Sequence, residues 1–366
     1  MKRLLCIVSA MNTGGAETFL MKLYREIDRT QYQMDFCVNV FEKGFYDDEI
    51  ESLGGKIYHI PAKSANVREY RKQLFQIVKN GRYKSVLRIT SSAAGFLDLK
   101  IAKKAGAERC CARSSNSSDG KSLTAKIAHR LGRLLYAQYV DVKIAPSDLA
   151  ARYTFGKKAY EQGKVNILHN AVDLSVYQYS VVKRQQIREE FQLSPDTLLI
   201  GHIGRFDVQK NHGFLIHIFE QISKRRSNAK LLLVGKGPLE TEVRSLVQEL
   251  GIEEKVIFAG IRSDVPGIMS AMDVLVFPSL YEGMPNVVIE SQATGLPCVI
   301  SDTITKEADI TGLVGFYNLS DDYSVWADAA VQKADLCRAS RTEQLKEAKY
   351  DIGSVAADFI KLTMGE

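Results

Sequence analysis

Short apolar runs alternate with amphipathic stretches of roughly 10–15 residues along nearly the whole chain, the rhythm of parallel strands joined by helices. LLCIVSA (4–10) reads as a buried strand, followed by the loop MNTGGAE and the helix ETFLMKLYREI. MDFCVNV (34–40), KIYHI (56–60), SVLRI (85–89), RCCAR (109–113) and VKIAPS (142–147) repeat the strand signal, with helices expected near 46–53, 66–80 and 95–105. The pattern restarts after residue 196 with TLLIGHIG, AKLLLVG, VIFAG, VLVFPS and PCVIS. Apolar runs without alternation belong to sheets covered on both faces. The expected architecture is therefore α/β, with two doubly wound Rossmann-like parallel-sheet domains at 1–174 and 197–350. The stretch 175–196 lacks the strand rhythm and reads as their linker. Ligands of such sheets bind beyond the carboxyl ends of the strands, so two domains facing each other would form a binding cleft.

Composition fits this picture. The 366 residues are 45% hydrophobic and 25% charged, with 26 Gly and 8 Pro, which excludes collagen-like, disordered and disulfide-stapled chains. The net charge of +6 hides a split: residues 1–170 hold 29 Lys and Arg against 16 Asp and Glu, the remainder 20 against 27. A basic front half suits an anionic partner, although a solvated lysine-rich face would look the same. The six cysteines form no C-x-x-C pair and suit a reducing cytoplasm. Lys2-Arg3 before an apolar run imitates a signal peptide, but the run is short and enters Gly14-Gly15, so a first strand is the better reading. No window is long enough for a membrane span. Basic stretches lack the interleaved aromatics of a nucleic-acid surface, so no nucleic acid is expected.

Four segments offer chemistry. Gly14 and Gly15 lie between the first strand and its helix, where bare N–H groups favour an anion, or where a tight turn simply needs them. In GHIGRFDVQKN (201–211), Arg205 and Lys210 follow Gly204 and the first strand of the second domain; two such cations can neutralise a diphosphate. Gly235 opens the turn GKGP after the next strand, as a phosphate approach or a plain strand–helix turn. The most specific segment is VLVFPSLYEGMPNVVIESQATGLPCVISD (274–302). Glu282 and Gly283 sit in its loop, a helix starts near Asn286 and carries Glu290, and Gly295 ends it. Carboxylates beside free helix amides suit the hydroxyls and phosphates of a nucleoside-diphosphate sugar. No Asp-x-Asp follows a strand and no Cys/His set has zinc spacing, so the expected site uses no metal and no cofactor.

Together the segments resemble glycosyltransferase family 4, the retaining transferases of GT-B architecture, across nearly the whole chain. The likeness is densest at NTGGAE, ILHNAVD (167–173), GRFDVQKN and Glu282–Glu290, and is most similar to members that build bacterial capsular or exopolysaccharide units. The resemblance implies a UDP-sugar donor bound by the second domain, an acceptor bound by the first, and a terminal helix (351–366) crossing back onto the first domain. It implies that Arg205 and Lys210 take the diphosphate and that Glu290 holds the ribose. Glu282, with Gly283, Met284, Pro285 and Asn286, would meet the donor sugar and β-phosphate. Gly14 and Gly15 would close over the phosphates, and the backbone at Ile261-Arg262 would accept the uracil. Relatives often show a His-containing string where this chain reads Ala112-Arg113-Ser114-Ser115-Asn116; Arg113 and Asn116 are candidates there for acceptor or phosphate contacts. His59 and His129 lie elsewhere and read as ordinary.

The implied activity is transfer of a hexose or N-acetylhexosamine to a polyprenyl-diphosphate-linked glycan. The alternatives are a UDP-sugar epimerase and a catalytically silent nucleotide-sugar-binding subunit. One basic segment stays open. Lys121, Lys126, Arg130 and Arg133 alternate with Leu123, Ile127, Leu131, Leu134 and Leu135 at helical spacing. The apolar stripe either faces the core or meets anionic lipid at the inner face of the cell membrane.

Overall fold

The structure is a computed structural model describing residues 1–115 and 123–366. The chain divides into two compact units, Met1–Ala171 with Lys349–Glu366, and Val172–Ala348.

The first unit contains β1 (Lys2–Ile7), α1 (Gly15–Glu26), β2 (Tyr32–Val38), α2 (Asp47–Ser52), β3 (Ile57–His59), α3 (Val67–Asn80), β4 (Ser85–Thr90), α4 (Phe96–Lys104), β5 (Arg109–Ser114), α5 (Leu123–Tyr136), β6 (Val142–Ala145), α6 (Asp148–Phe155), α7 (Lys157–Glu161) and β7 (Asn166–Ile167). Its seven strands are parallel, ordered β3-β2-β1-β4-β5-β6-β7. Alternate strand residues point to opposite faces, and each face has its own core. Leu4, Cys6, Met34 and Phe36 face α1 and α2, while Leu5, Ile7, Val86 and Cys110 face α3, α4 and α6.

The second unit contains α8 (Val181–Glu190), β8 (Leu198–Ile203), α9 (His212–Arg225), β9 (Ala229–Val234), α10 (Glu240–Glu249), β10 (Val256–Gly260), α11 (Val265–Ala271), β11 (Val274–Phe277), α12 (Asn286–Ala293), β12 (Cys298–Ser301), β13 (Val314–Tyr317), α13 (Tyr323–Ala334) and α14 (Thr342–Glu347). Its six parallel strands run β10-β9-β8-β11-β12-β13, the same order as the first sheet without its last strand. Strand order reverses at β1/β4 in one unit and β8/β11 in the other, the crevice where such sheets take ligands. The last helix, α15 (Ile352–Met364), packs within the first unit: Phe359 meets Phe19 edge-on at 6.3 Å, and Arg109 Nε donates to the Leu362 carbonyl at 2.9 Å.

The apolar runs fold as expected, with three differences. β1 stops at Ile7, so Val8–Ala10 belong to the following loop. β7 and β13 are additional strands; β13, with the sequence VGFY, buries only Val314 fully and gives little apolar signal. The stretch 175–196 is no bare linker. It holds α8, whose Arg184 reaches Asp273 at 2.6 Å and the Ala271 carbonyl at 2.8 Å, while Arg188 reaches the same carbonyl at 3.1 Å. A polar helix can thus be held by charge-assisted bonds where apolar periodicity is weak.

The charge of the first unit is segregated between its helix layers. α3, α4 and α5 together carry ten Lys and Arg against Glu69 and Asp98. On the opposite face α1, α2 and α15 carry three against seven Asp and Glu. Asp98 is buried and already paired with Lys63 at 2.6 Å and Arg88 at 3.1 Å.

Candidate functional site

Arg205, Lys210, Glu282 and Glu290, together with Gly204 and residues 283–286, lie on the loops and helix starts that follow the carboxyl ends of β8 and β11. After β8 the chain passes Gly204 and Arg205 and makes a short 3-10 turn. The Asp207 carboxylate accepts the Lys210 N–H to cap that turn, and Asn211 exits it at φ +56°. Asn tolerates this left-handed conformation better than most side chains. α9 starts at the next residue, and Arg205 is left solvent-exposed.

Lys210 folds back from this turn. Its ammonium lies 2.6 Å from Glu282 Oε1 and 4.4 Å from the centre of the Phe277 ring. The two charged side chains are only 17% and 11% exposed, so the pair is weakly screened by water. The aromatic face adds a further attraction to the cation. The sequence singled out both residues, but their contact spans 72 positions and no local pattern reveals it. Gln209, which sequence reasoning missed, joins the same loops: its carbonyl accepts the Leu280 N–H and its amide donates to the Tyr281 carbonyl, both at 2.8 Å.

Gly235 has a packing reason to be there. Gly235 adopts φ +138°, and a Cβ on it would stand 2.1 Å from the Gly204 oxygen. The turn after β9 is laced onto the Arg205 loop by Gly204 N–H to Val234 O at 2.9 Å and Phe206 N–H to Lys236 O at 3.2 Å. β10 ends at Gly260, whose carbonyl accepts the Gly235 N–H at 2.8 Å. Ile261 beyond it is exposed, while the Arg262 side chain is clasped by Asp264 at 2.7 Å and by Glu190, which raises its pKa. The Arg262 guanidinium is therefore committed to ion pairs, while Ile261 stands open to solvent.

α12 begins at Asn286 after Pro285, which offers no side-chain cap but accepts the Val288 N–H on its carbonyl at 3.1 Å. Glu290, one turn in, is buried and hydrogen-bonded to Tyr177; burial first, then this carboxylate, pushes the Tyr177 phenol up. Tyr177 lies in the segment read as connection and gave no sequence signal. Met284 is buried beside Gly283, and Gly295 ends the helix region at φ +66°.

The first unit is built differently. Gly14 precedes α1 with an ordinary φ of −79° and no capping side chain, and Gly14 and Gly15 are exposed. Arg113 is not a surface phosphate ligand here. It is 2% exposed, lies 3.7 Å over the Phe19 ring, and donates to Asn170 Oδ1 at 2.8 Å. Burial lowers its pKa to about 9. Asn116 and Lys121 lie outside the described residues.

The apolar stripe of α5 does not face the core. Leu123, Ile127, Leu131, Leu134 and Leu135 are 48–80% exposed, and Lys126 and Arg130 are exposed beside them. The helix is held instead by its narrow polar side. Buried His129 accepts the Ala93 N–H at 3.3 Å through Nδ1, which leaves Nε2–H to donate to the Tyr153 carbonyl at 3.1 Å. At Gly132 the contact with Ala93 is so close that a Cβ would stand 2.5 Å from it. Among the described residues, no helix is long and apolar enough to cross a membrane.

Residues 197–334 match the family described as Glycosyl transferases group 1. EpsF of Bacillus subtilis (strain 168), provisionally assigned as a glycosyltransferase, is 34% identical over 357 residues, covering 96% of this chain and 92% of EpsF. The Escherichia coli UDP-Gal:alpha-D-GlcNAc-diphosphoundecaprenol alpha-1,3-galactosyltransferase is 24% identical over 235 residues, 63% of this chain and 60% of that one. Anabaena HepE, solved in complex with UDP-glucose, has the same fold, with a TM-score of 0.79 and 16% identity over 100% of both chains. With one relative matching almost from end to end and the family pattern covering the unit that holds Arg205, Lys210, Glu282 and Glu290, the chain belongs to the group 1 glycosyl transferases.

Proposed function

We propose that this glycosyltransferase moves a hexose or N-acetylhexosamine from a UDP-sugar, with retention of configuration, to a hydroxyl of a polyprenyl-diphosphate-linked glycan in capsular or exopolysaccharide assembly. The observation that carries the reading is the cationic turn at the sheet reversal: Lys210 held against Phe277 and Glu282, with Arg205 exposed beside it. In the reaction the bond from the sugar C1 to the β-phosphate oxygen breaks, and charge grows on the departing diphosphate. Arg205 and Lys210 neutralise that charge without a metal ion. Fixed donors aimed at developing charge give the largest single reduction of such barriers. The acceptor oxygen bonds to C1 on the face UDP leaves, and its proton passes to the departing phosphate oxygen, so no protein base is needed.

Glu282 keeps Lys210 in place before the donor arrives, then accepts a hydrogen bond from a sugar hydroxyl as the ammonium turns to phosphate. The amides of Gly283, Met284 and Asn286 meet the sugar and β-phosphate, Glu290 with Tyr177 holds the ribose, and the backbone at Ile261-Arg262 reads uracil. Gly14 and Gly15 serve the acceptor. The E. coli relative, whose name states a diphosphoundecaprenol acceptor, supports the lipid-linked substrate. The exposed Leu and Ile stripe of α5, set in the basic α3–α5 layer, supports docking of the first unit on an anionic bilayer.

Incubation of the protein with radiolabelled UDP-sugars and bacterial membrane extract tests the reading. Label in the lipid fraction is expected. A changed free UDP-sugar would indicate epimerisation, and UDP binding without turnover would indicate a silent subunit; either would contradict the proposal.

A further inference from the structure

Two buried imidazoles that take no part in the proposed chemistry lie under the cationic turn. β8 and β11 pair only at Ile200–Val274 and Gly201–Leu275, although β8 continues to Ile203 and β11 to Phe277. The ladder stops short at the sheet reversal, and His202, with no exposed surface, fills the opening. Its ring reaches the Val276 carbonyl at 2.9 Å through Nδ1. A carbonyl only accepts, so Nδ1 carries the proton and Nε2 is the lone-pair nitrogen.

Nε2 faces Gly204: a Cβ built there would stand 3.0 Å from it and 3.2 Å from Cγ and Cδ of Lys210. The same imidazole stacks on Phe277 at 5.4 Å, the ring that the Lys210 ammonium covers. His212, also buried, meets His202 edge-on at 4.7 Å and stacks on Phe206 at 4.2 Å. Among the described residues, His202 Nε2 and both nitrogens of His212 have no hydrogen-bond partner. Buried unpaired polar atoms are costly, and an apolar core would avoid them. Burial holds both rings below the usual histidine range, His212 down to about 4, so they form a neutral floor that does not repel the ammonium.

We propose that His202, backed by His212, is a positioning residue for Lys210: by bridging the strands to Val276 and supporting both Phe277 and Gly204, it sets where the ammonium meets the donor diphosphate. This rests on the assignment of Lys210 to the diphosphate made above.

Calorimetric titration with UDP and with uridine separates the two claims. Lys210→Ala is expected to weaken UDP binding at least about tenfold and leave uridine within about twofold. His202→Leu is expected to weaken UDP by about tenfold with uridine again unchanged, and His202→Gln, whose amide can still donate to Val276, to recover most of the loss. If Lys210→Ala weakens UDP while His202→Leu binds it like the wild type, the positioning role is wrong. If Lys210→Ala itself leaves UDP binding unchanged, the diphosphate assignment fails and takes this inference with it. Should His202→Leu lose uridine binding and therefore the fold, His212→Leu, which keeps the Val276 bond, is decisive: about a threefold loss for UDP alone is expected. Wild-type UDP affinity in that variant would overturn the proposal.

Discussion

After β1 the chain turns through Asn12–Gly15 into α1, and after β8 it turns through Gly204–Asn211 into α9. Both turns leave the central strand at the reversal of their sheet, so the same crevice is available in each unit. The first turn has no Lys or Arg and ends in exposed glycines. The second carries Arg205 and Lys210 and is braced by Gln209, Asp207 and the turn after β9. The first unit gathers ten Lys and Arg on α3–α5, where the proposed partner is an anionic surface. The second sets Lys210 on aromatic and carboxylate support, where it can act on a bond. One architecture thus hosts two uses of positive charge, and the loop after the central strand decides between them.

The sharpest break of this comparison is removal of the inner cations. Arg205→Ala and Lys210→Ala are each expected to lower turnover of the UDP-sugar by about 10²–10³, the ~2.7–4 kcal/mol of a lost transition-state donor; steady-state assays with saturating acceptor measure it. Losses within about twofold would remove the role given to the turn. Next comes the brace. Gly235→Ala puts a side chain at φ +138° and against the Gly204 oxygen, so a destabilisation of about 2–3 kcal/mol is expected in chemical unfolding.

The outer cations predict a smaller effect of another kind. Lys126→Gln with Arg130→Gln is expected to weaken sedimentation with anionic vesicles by about 2 kcal/mol, near thirtyfold, at low salt. Leu131→Asp with Leu134→Asp should abolish it without lowering Tm, because both side chains are already exposed. Vesicle binding by these variants equal to the wild type would refute the surface role. The smallest effect belongs to the uncharged turn. Gly14→Ala keeps an ordinary φ, and the new Cβ displaces only the flexible Glu17 carboxylate, so unfolding free energy should stay within about 0.5 kcal/mol. A much larger loss would mean that the two turns are equally constrained.

The strands were legible because a parallel sheet covered on both faces needs continuous apolar runs, and LLCIVSA, TLLIGHIG and VLVFPS supply them. The loops bearing Arg205 and Glu282 were legible because glycines and charges follow those runs directly. The Lys210–Glu282 pair, the Tyr177–Glu290 bond and the His202 bridge were not, since each joins residues 72 to 113 positions apart. Arg113 shows a second limit. A charged residue ending a strand suggests a ligand, yet an aromatic floor and Asn170 hold it in the interior. On α5 the periodicity revealed an apolar stripe without revealing its direction, because His129 and Gly132 on the opposite side fix the helix.

Arg205 and Lys210 are proposed to hold the donor's diphosphate. Phosphorus NMR of UDP titrated with the protein tests it most directly. Shift or broadening of both phosphorus resonances with the wild type, lost in Arg205→Ala/Lys210→Ala while uridine binding persists, is the predicted result. The same perturbation with the double variant would contradict it.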